Sequence, residues 1–206
     1  MPSHKLNYFN LRGRGEIIRL IFAAAGAEFT DNRIEFDQWP ALKADTPLGQ
    51  LPYLTIDDSI HIPQSMAIAR YVARETGLAG KNNLQQAQAD AIVDTIMEPV
   101  NYYWSNIFKI QDANEKAEAF KAFLVDQGAK GAKNVEKLIG LYGSNGYSVG
   151  DSLTWADLAV YDVASALLSK HPEFSDKFPV LAAVYKNVLA NEKLANYVKN
   201  RPETPF

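Results

Sequence analysis

The sequence predicts a two-part chain, an α/β domain followed by an all-α one, and three observations carry that reading. Up to Gly80, short apolar runs alternate with stretches of helical period. Beyond Gly80 no strand pattern returns, and long amphipathic stretches take over. Between the two, "GLAGKNN" at 77–83 has the glycine and asparagine content of a linker.

In order, "HKLNYF" reads as a strand, "GEIIRLIFAAAG" as a helix, "FTDNRIE" as a strand and "WPALKA" as a helical turn. "YLTID" and "SIHI" read as two short strands joined at "DS", and "SMAIARYVARETG" restores the helical period with Met66, Ile68, Tyr71 and Val72. The βαβ start implies a parallel pair, and the tight connection at Asp58 adds an antiparallel hairpin, so a small mixed sheet is expected. One residue resists: Pro52 in "QLPYLTI" has no amide hydrogen for a ladder, which puts the strand's start after it, at Tyr53. The second part is expected to hold helices near 84–109, 115–141, 155–170, 179–189 and 191–198.

Composition narrows function by exclusion. A net charge of −3, with lysines and arginines scattered, leaves no footprint for nucleic acid. No apolar run reaches the roughly 18 residues of a membrane span, and the N-terminal stretch lacks the apolar core of a signal peptide, so a cytoplasmic protein with no membrane partner is expected. Cysteine is absent, which removes disulfides, thiolate metal sites and cysteine nucleophiles, so any sulfur chemistry uses a substrate's thiol. The three histidines, His4, His61 and His171, lack metal-ligand spacing, and no metal is expected.

Several segments carry groups suited to an anionic ligand. Gly13-Arg14-Gly15 lies between the first strand and first helix, where a tight turn brings Arg14 to a helix N-terminus. Tyr8 ends the preceding strand, where a tyrosine is commonly a core or edge residue and can also serve as a hydroxyl donor to an anionic ligand atom. Ser65 is expected as an N-cap with the Gln64 amide beside it, a pair that caps a helix with or without a carboxylate ligand. Trp39, Lys43 and Gln50 offer an indole donor, a cation and an amide. Thr154 and Asp157 in "TWAD" have capping-box spacing and are expected to be structural.

Together, Tyr8, "WPALK" at 39–43, "GQLPYL" at 49–54, "QSMAIARYVA" at 64–73 and "SLTWADL" at 152–158 resemble the glutathione transferase family across nearly the whole chain. "YFNLRGRGEIIR" and "DAIVDT" are similar to its sigma class. The resemblance implies a thioredoxin-like N-terminal domain, βαβαββα, over 1–78, a linker at 79–84, a helical-bundle domain over 85–206, and a homodimer. It implies a cis Pro52 with Leu51 turning its backbone to a peptide ligand. It assigns reduced glutathione as co-substrate, with Gln64 and Ser65 at the γ-glutamyl end, Trp39, Lys43 and Gln50 at the glycyl end, Tyr8 facing the sulfur and Arg14 supporting it.

The hydrophobic-substrate pocket is implied at Phe9, Gly13, Arg14, Tyr103 or Trp104, Phe108, Ala159, Val163 and Phe206. Tyr102, Tyr103 and Trp104 are consecutive and cannot all face one way on a helix. By the same resemblance, Met97 replaces one acidic residue of a cluster that holds a divalent ion elsewhere in the class, Glu98 keeps a charge and is expected to reach the partner subunit's glutathione, and Pro99 is positioned to kink the helix. The activity implied is conjugation of glutathione to small hydrophobic electrophiles. Alternatives are isomerisation of prostaglandin H2 to D2, or a non-catalytic role as a hydrophobic-ligand carrier or lens-crystallin-like protein.

Overall fold

Alternation decides how the first strand is used. In β1 (His4–Phe9) the side chains of His4, Leu6 and Tyr8 share one face and those of Lys5, Asn7 and Phe9 the other. A computed structural model, describing residues 2–168 and 171–204, places β1 beside β2 (Thr30–Ile34), β3 (Tyr53–Ile56) and β4 (Ile60–Pro63) in the order β2-β1-β3-β4. β1 and β2 are parallel, joined through α1 (Glu16–Ala25), and the other two pairings are antiparallel. The His4 ring lies 5.5 Å from Phe22 of α1 and 6.0 Å from Tyr71 of α3 (Ser65–Glu75), so both helices meet the face that carries Tyr8.

The opposite face holds a polar run that the sequence pattern did not flag. Asn32 Nδ2 donates to Asn7 Oδ1 at 2.7 Å, Asn7 Nδ2 donates to Thr55 Oγ1 at 3.1 Å, and Thr55 Oγ1 meets His61 Nδ1 at 3.2 Å, linking all four strands. Asn7 and Thr55 are buried, so these bonds offset the desolvation of their side chains. The β3–β4 connection is Asp57 to Ser59, one residue longer than the expected "DS", with Asp57 and Asp58 at φ 47° and 55°.

Along the helical half come α4 (Asn83–Tyr102), α5 (Ala113–Val125), α6 (Gln127–Tyr142), α7 (Trp155–Leu168), α8 (Phe174–Lys177) and α9 (Pro179–Val188). The expected helix 84–109 is α only to Tyr102. A π-helical turn, Tyr103–Ile107, follows, closed by the Phe108 N–H donating to Tyr103 O at 2.9 Å. The expected helix 115–141 is two helices, broken at Asp126 (φ −110°, ψ −93°), with Gly128 in the first turn of the second. Pro99 sits inside α4 and packs on Gly131 of α6, where a Cβ would come within 2.7 Å of the proline ring.

The expected division at 79–84 differs from the structure at the far end of the chain. One unit runs to Ala79 and takes back the chain from Val188, while the other is Gly80–Asn187. The reason is α10 (Glu192–Asn200), which the sequence reading assigned to the helical domain and which packs instead on α1. Asn191 caps α10 by accepting the Leu194 N–H at 3.0 Å, and Lys193 Nζ donates to Ala25 O at 3.1 Å.

Candidate functional site

Register brings three distant segments together. Asn7 is paired with Tyr53, and Tyr53 with Pro63. Continuing both antiparallel ladders by one residue sets Tyr8, Pro52 and Gln64 in a row across the end of the sheet. The Leu51–Pro52 peptide bond is cis, and β3 starts at Tyr53. Gln64 has φ 76° and ψ 109°, a region that non-glycine residues avoid and that is retained where surrounding structure imposes it.

Gln64, rather than the expected Ser65, is the residue that caps α3. Its carbonyl accepts the Ile68 N–H at 3.0 Å, while Ser65 is the first helical residue and is buried. No side chain caps this helix start, whose amides carry the positive end of the helix dipole beside the Gln64 amide.

Tyr8 is only 6% exposed, and its hydroxyl accepts the Arg14 N–H at 3.0 Å. A phenolic oxygen that accepts one hydrogen bond can also donate its own hydrogen. The expected tight turn is a 3₁₀ turn over Gly13–Gly15, with Gly13 at φ 39°. Both glycines also make room: a Cβ on Gly13 would come within 2.7 Å of the Tyr8 oxygen, and one on Gly15 would run into the Tyr8 ring. The Arg14 side chain is exposed.

Trp39 opens α2 (Trp39–Leu42), with Pro40 near the helix start, and Lys43 begins the 3₁₀ turn that follows. The Phe9 ring stacks on Phe36 at 4.8 Å and meets the edge of Trp39 at 5.6 Å, so Phe9, expected in the hydrophobic pocket, ties β1 to Trp39. Gly49, at φ 63°, lies against Lys43, which puts that cation beside the chain leading into Gln50 and Leu51. Lys43 and Gln50 are exposed, and Leu51 is half-buried.

In the helical unit the aromatic residues converge. Trp104 lies 4.4 Å from Phe108 and 5.7 Å from Tyr103, and Tyr103 contacts Phe120 at 5.7 Å and Phe123 at 6.1 Å. Burial pushes the Tyr103 phenol pKa up. Tyr102 is exposed and stacks on Phe123. Ala159 is buried and Val163 half-buried, four residues apart on one side of α7. Glu98 is an exposed residue of α4, and Phe206 lies outside the described residues. Among the described residues no three histidine or carboxylate side chains gather in a metal-binding group.

The N-terminal domain of glutathione S-transferases matches residues 4–74, and their C-terminal domain matches residues 98–201. The chain belongs to the glutathione S-transferase family. It is 44% identical over 206 residues to the hematopoietic prostaglandin D synthase of Gallus gallus, covering 99% of each chain. It is 37% identical over 212 residues to glutathione S-transferase 1 of Ascaris suum, covering 100% of each. The structure of monomeric Na-GST-3, a glutathione S-transferase of Necator americanus, superposes with a TM-score of 0.85 at 35% identity, covering 99% of this chain and 100% of that one.

Within this transferase the "TWAD" segment is built as a closed polar knot. Asp157 accepts the Ser148 N–H at 2.6 Å, the Thr154 N–H at 2.7 Å and the Thr154 hydroxyl at 2.8 Å. The Thr154 hydroxyl therefore donates to the carboxylate instead of accepting from the helix backbone, which is half of the expected capping box. Burial pushes the Asp157 pKa up, and the bonds from Ser148 and Thr154 pull against it.

Sequence reasoning missed the charges beneath Tyr8. Glu16 and Arg19 of α1 are fully buried. Arg19 pairs with Asp31 at 3.0 Å and Glu16 at 3.5 Å, Arg33 with Asp31 at 2.7 Å, and Arg201 with Glu16 at 2.7 Å. The available signal was the Glu16–Arg19 spacing of three, which reads equally as a solvated helix pair.

Proposed function

We propose that this protein is a sigma-class glutathione transferase, in which Tyr8 stabilises the thiolate of reduced glutathione for attack on small hydrophobic electrophiles. One observation carries the reading: a buried hydroxyl, fixed by the Arg14 N–H, stands in the row Tyr8–Pro52–Gln64 at the end of the sheet. Gln64, Ser65 and the start of α3 suit the γ-glutamyl carboxylate. Trp39, Lys43 and Gln50 suit the glycyl end, and the Leu51 backbone pairs with the peptide between them. Arg14 adds positive charge on the sulfur's side.

A free thiol has a pKa near 8.5 and is mostly protonated at neutral pH. A hydrogen bond to the sulfur favours its charged form, and each unit of lowering is worth about 1.4 kcal/mol. A shift of about two units makes thiolate the main species. The sulfur then forms a bond to the electrophilic carbon as the leaving group departs with its electron pair, and the thiol proton goes to solvent. Phe9, Gly13, Tyr103, Trp104, Phe108, Ala159, Val163 and Phe206 are proposed as residues that contact the electrophile.

Steady-state turnover of 1-chloro-2,4-dinitrobenzene with glutathione, comparing wild type with Tyr8→Phe, tests this. Conjugation that collapses in the variant is expected; tight glutathione binding without turnover in the wild type would instead establish a carrier. The 44% identity to a prostaglandin D synthase favours a second reading, isomerisation of prostaglandin H2 through the same thiolate. Product analysis after incubation with prostaglandin H2 decides it. We further propose a homodimer in which Glu98 approaches the partner subunit's glutathione, with no metal requirement. Light scattering and turnover with and without EDTA check these points.

A further inference from the structure

We infer that Arg19 is the positioning residue for Tyr8, a role that rests on the proposed use of the Tyr8 hydroxyl. Its guanidinium lies 5.8 Å from the centre of the Tyr8 ring. On the other side it grips the chain just past Tyr8, donating from Nη1 to Leu11 O at 2.6 Å and from Nη2 to Phe9 O at 3.4 Å. Nε donates to Asp31 at 3.0 Å, and Nη1 also faces Glu16 at 3.5 Å. One planar fork thus fixes the strand end, the first residues of the loop and the helix that follows, while its charge lies beneath the ring that supplies the hydroxyl.

Arg19 is fully buried, and a buried charge persists only where its partners repay its desolvation. Glu16 and Asp31 each pair with Arg19 and with a second arginine, Arg201 and Arg33 respectively, so the guanidinium is held within a network of ion pairs. The Tyr8 ring is enclosed by Gly13, Gly15 and this guanidinium, with the hydroxyl pinned by the Arg14 N–H. Loosening the fork moves the 9–15 loop and with it the position of the oxygen. Placement errors of this kind cost roughly ten- to a hundredfold in rate.

The test is a mutant cycle of Arg19→Lys and Tyr8→Phe, with kcat, KM for glutathione and the pH profile of kcat/KM measured on folded protein. A lysine keeps the charge but cannot hold Phe9, Leu11, Glu16 and Asp31 at once. In the Tyr8 background Arg19→Lys is expected to lower kcat roughly tenfold or more, leave KM for glutathione within about twofold, and move the acid limb of the profile up by about one unit. In the Tyr8→Phe background it is expected to have almost no further effect, because the oxygen it positions is gone. Equal losses in both backgrounds, or no loss in either, overturn the inference. Wild-type kcat in Tyr8→Phe alone overturns the underlying assignment of Tyr8. If circular dichroism shows Arg19→Lys unfolded, Asp31→Asn, which releases the Nε end of the fork, takes its place with the same expectations.

Discussion

The turn after β1 and the turn before α7 both bury a polar side chain, and they differ in the chemistry that side chain can offer. Both oxygens of Asp157 are taken by donors from Ser148 and Thr154, so the carboxylate binds its own chain. The Tyr8 oxygen accepts a backbone N–H, and a phenolic hydroxyl can donate as well as accept. Burial of an acceptor filled by its own chain therefore marks a structural group, while a buried hydroxyl held in place through its oxygen is fit to act on a ligand.

Mutations can break or sharpen that contrast. The largest expected effect is on Tyr8→Phe, with a roughly hundredfold or greater loss of kcat/KM in glutathione conjugation, the scale for removing one preorganised donor from a reacting anion. Its melting temperature should stay close to wild type because the ring is retained. Asp157→Ala should do the reverse, leaving the Ser148 and Thr154 amides buried without an acceptor. That costs about 3 kcal/mol, a drop of roughly 6–12 °C in melting temperature, while turnover per folded molecule stays within about twofold. A stable but inactive Asp157→Ala protein would erase the distinction.

Gly15→Ala should fall between the two. Its backbone is helical, so the harm comes from the new methyl meeting the Tyr8 ring. Overpacking of this kind costs about 1–3 kcal/mol, and we expect a roughly tenfold fall in turnover alongside it. The smallest effect belongs to His4, which shares the Tyr8 face. Burial lowers its pKa from 6.5, against opposing pulls from Glu75 and Asp57. Its neutral form is favoured in the folded state, so its contribution is present above 6.5 and lost as pH falls below it. Melting curves between about pH 5 and 7 should flatten in His4→Gln, with turnover unaffected.

Much of this could be read from the sequence because local chemistry decided it. The βαβαββα order follows from short apolar runs and turn residues, and the segments "GQLPYL" and "QSMAIARYVA" carry their residues at fixed offsets within one strand or helix start. Long-range packing decided the rest. Gly128 is a weak local signal for the break at Asp126, since a single glycine is tolerated within a helix, and the π-helical turn after Tyr102 leaves no mark in a run of aromatic residues. The sequence gives no sign that Arg19 is buried, because its partners Leu11, Asp31 and Phe9 come from other elements. The role of α10 was hidden for the same reason: its period announces a helix but not the helix it packs against.

The bond between Arg201 and Glu16 spans 185 positions, and the Tyr197 hydroxyl reaches the same carboxylate at 3.2 Å. On a ribosome that adds roughly 5–20 residues per second, the first strands and helices emerge long before these partners do. Glu16 must therefore wait for α10 to be synthesised before its charge is sealed in. A chain cut after Ala79 would carry every proposed glutathione ligand except Glu98, yet would leave this carboxylate without two of its three partners. The last helix acts as a delayed latch, and the unit that begins first is closed only after the other has been made.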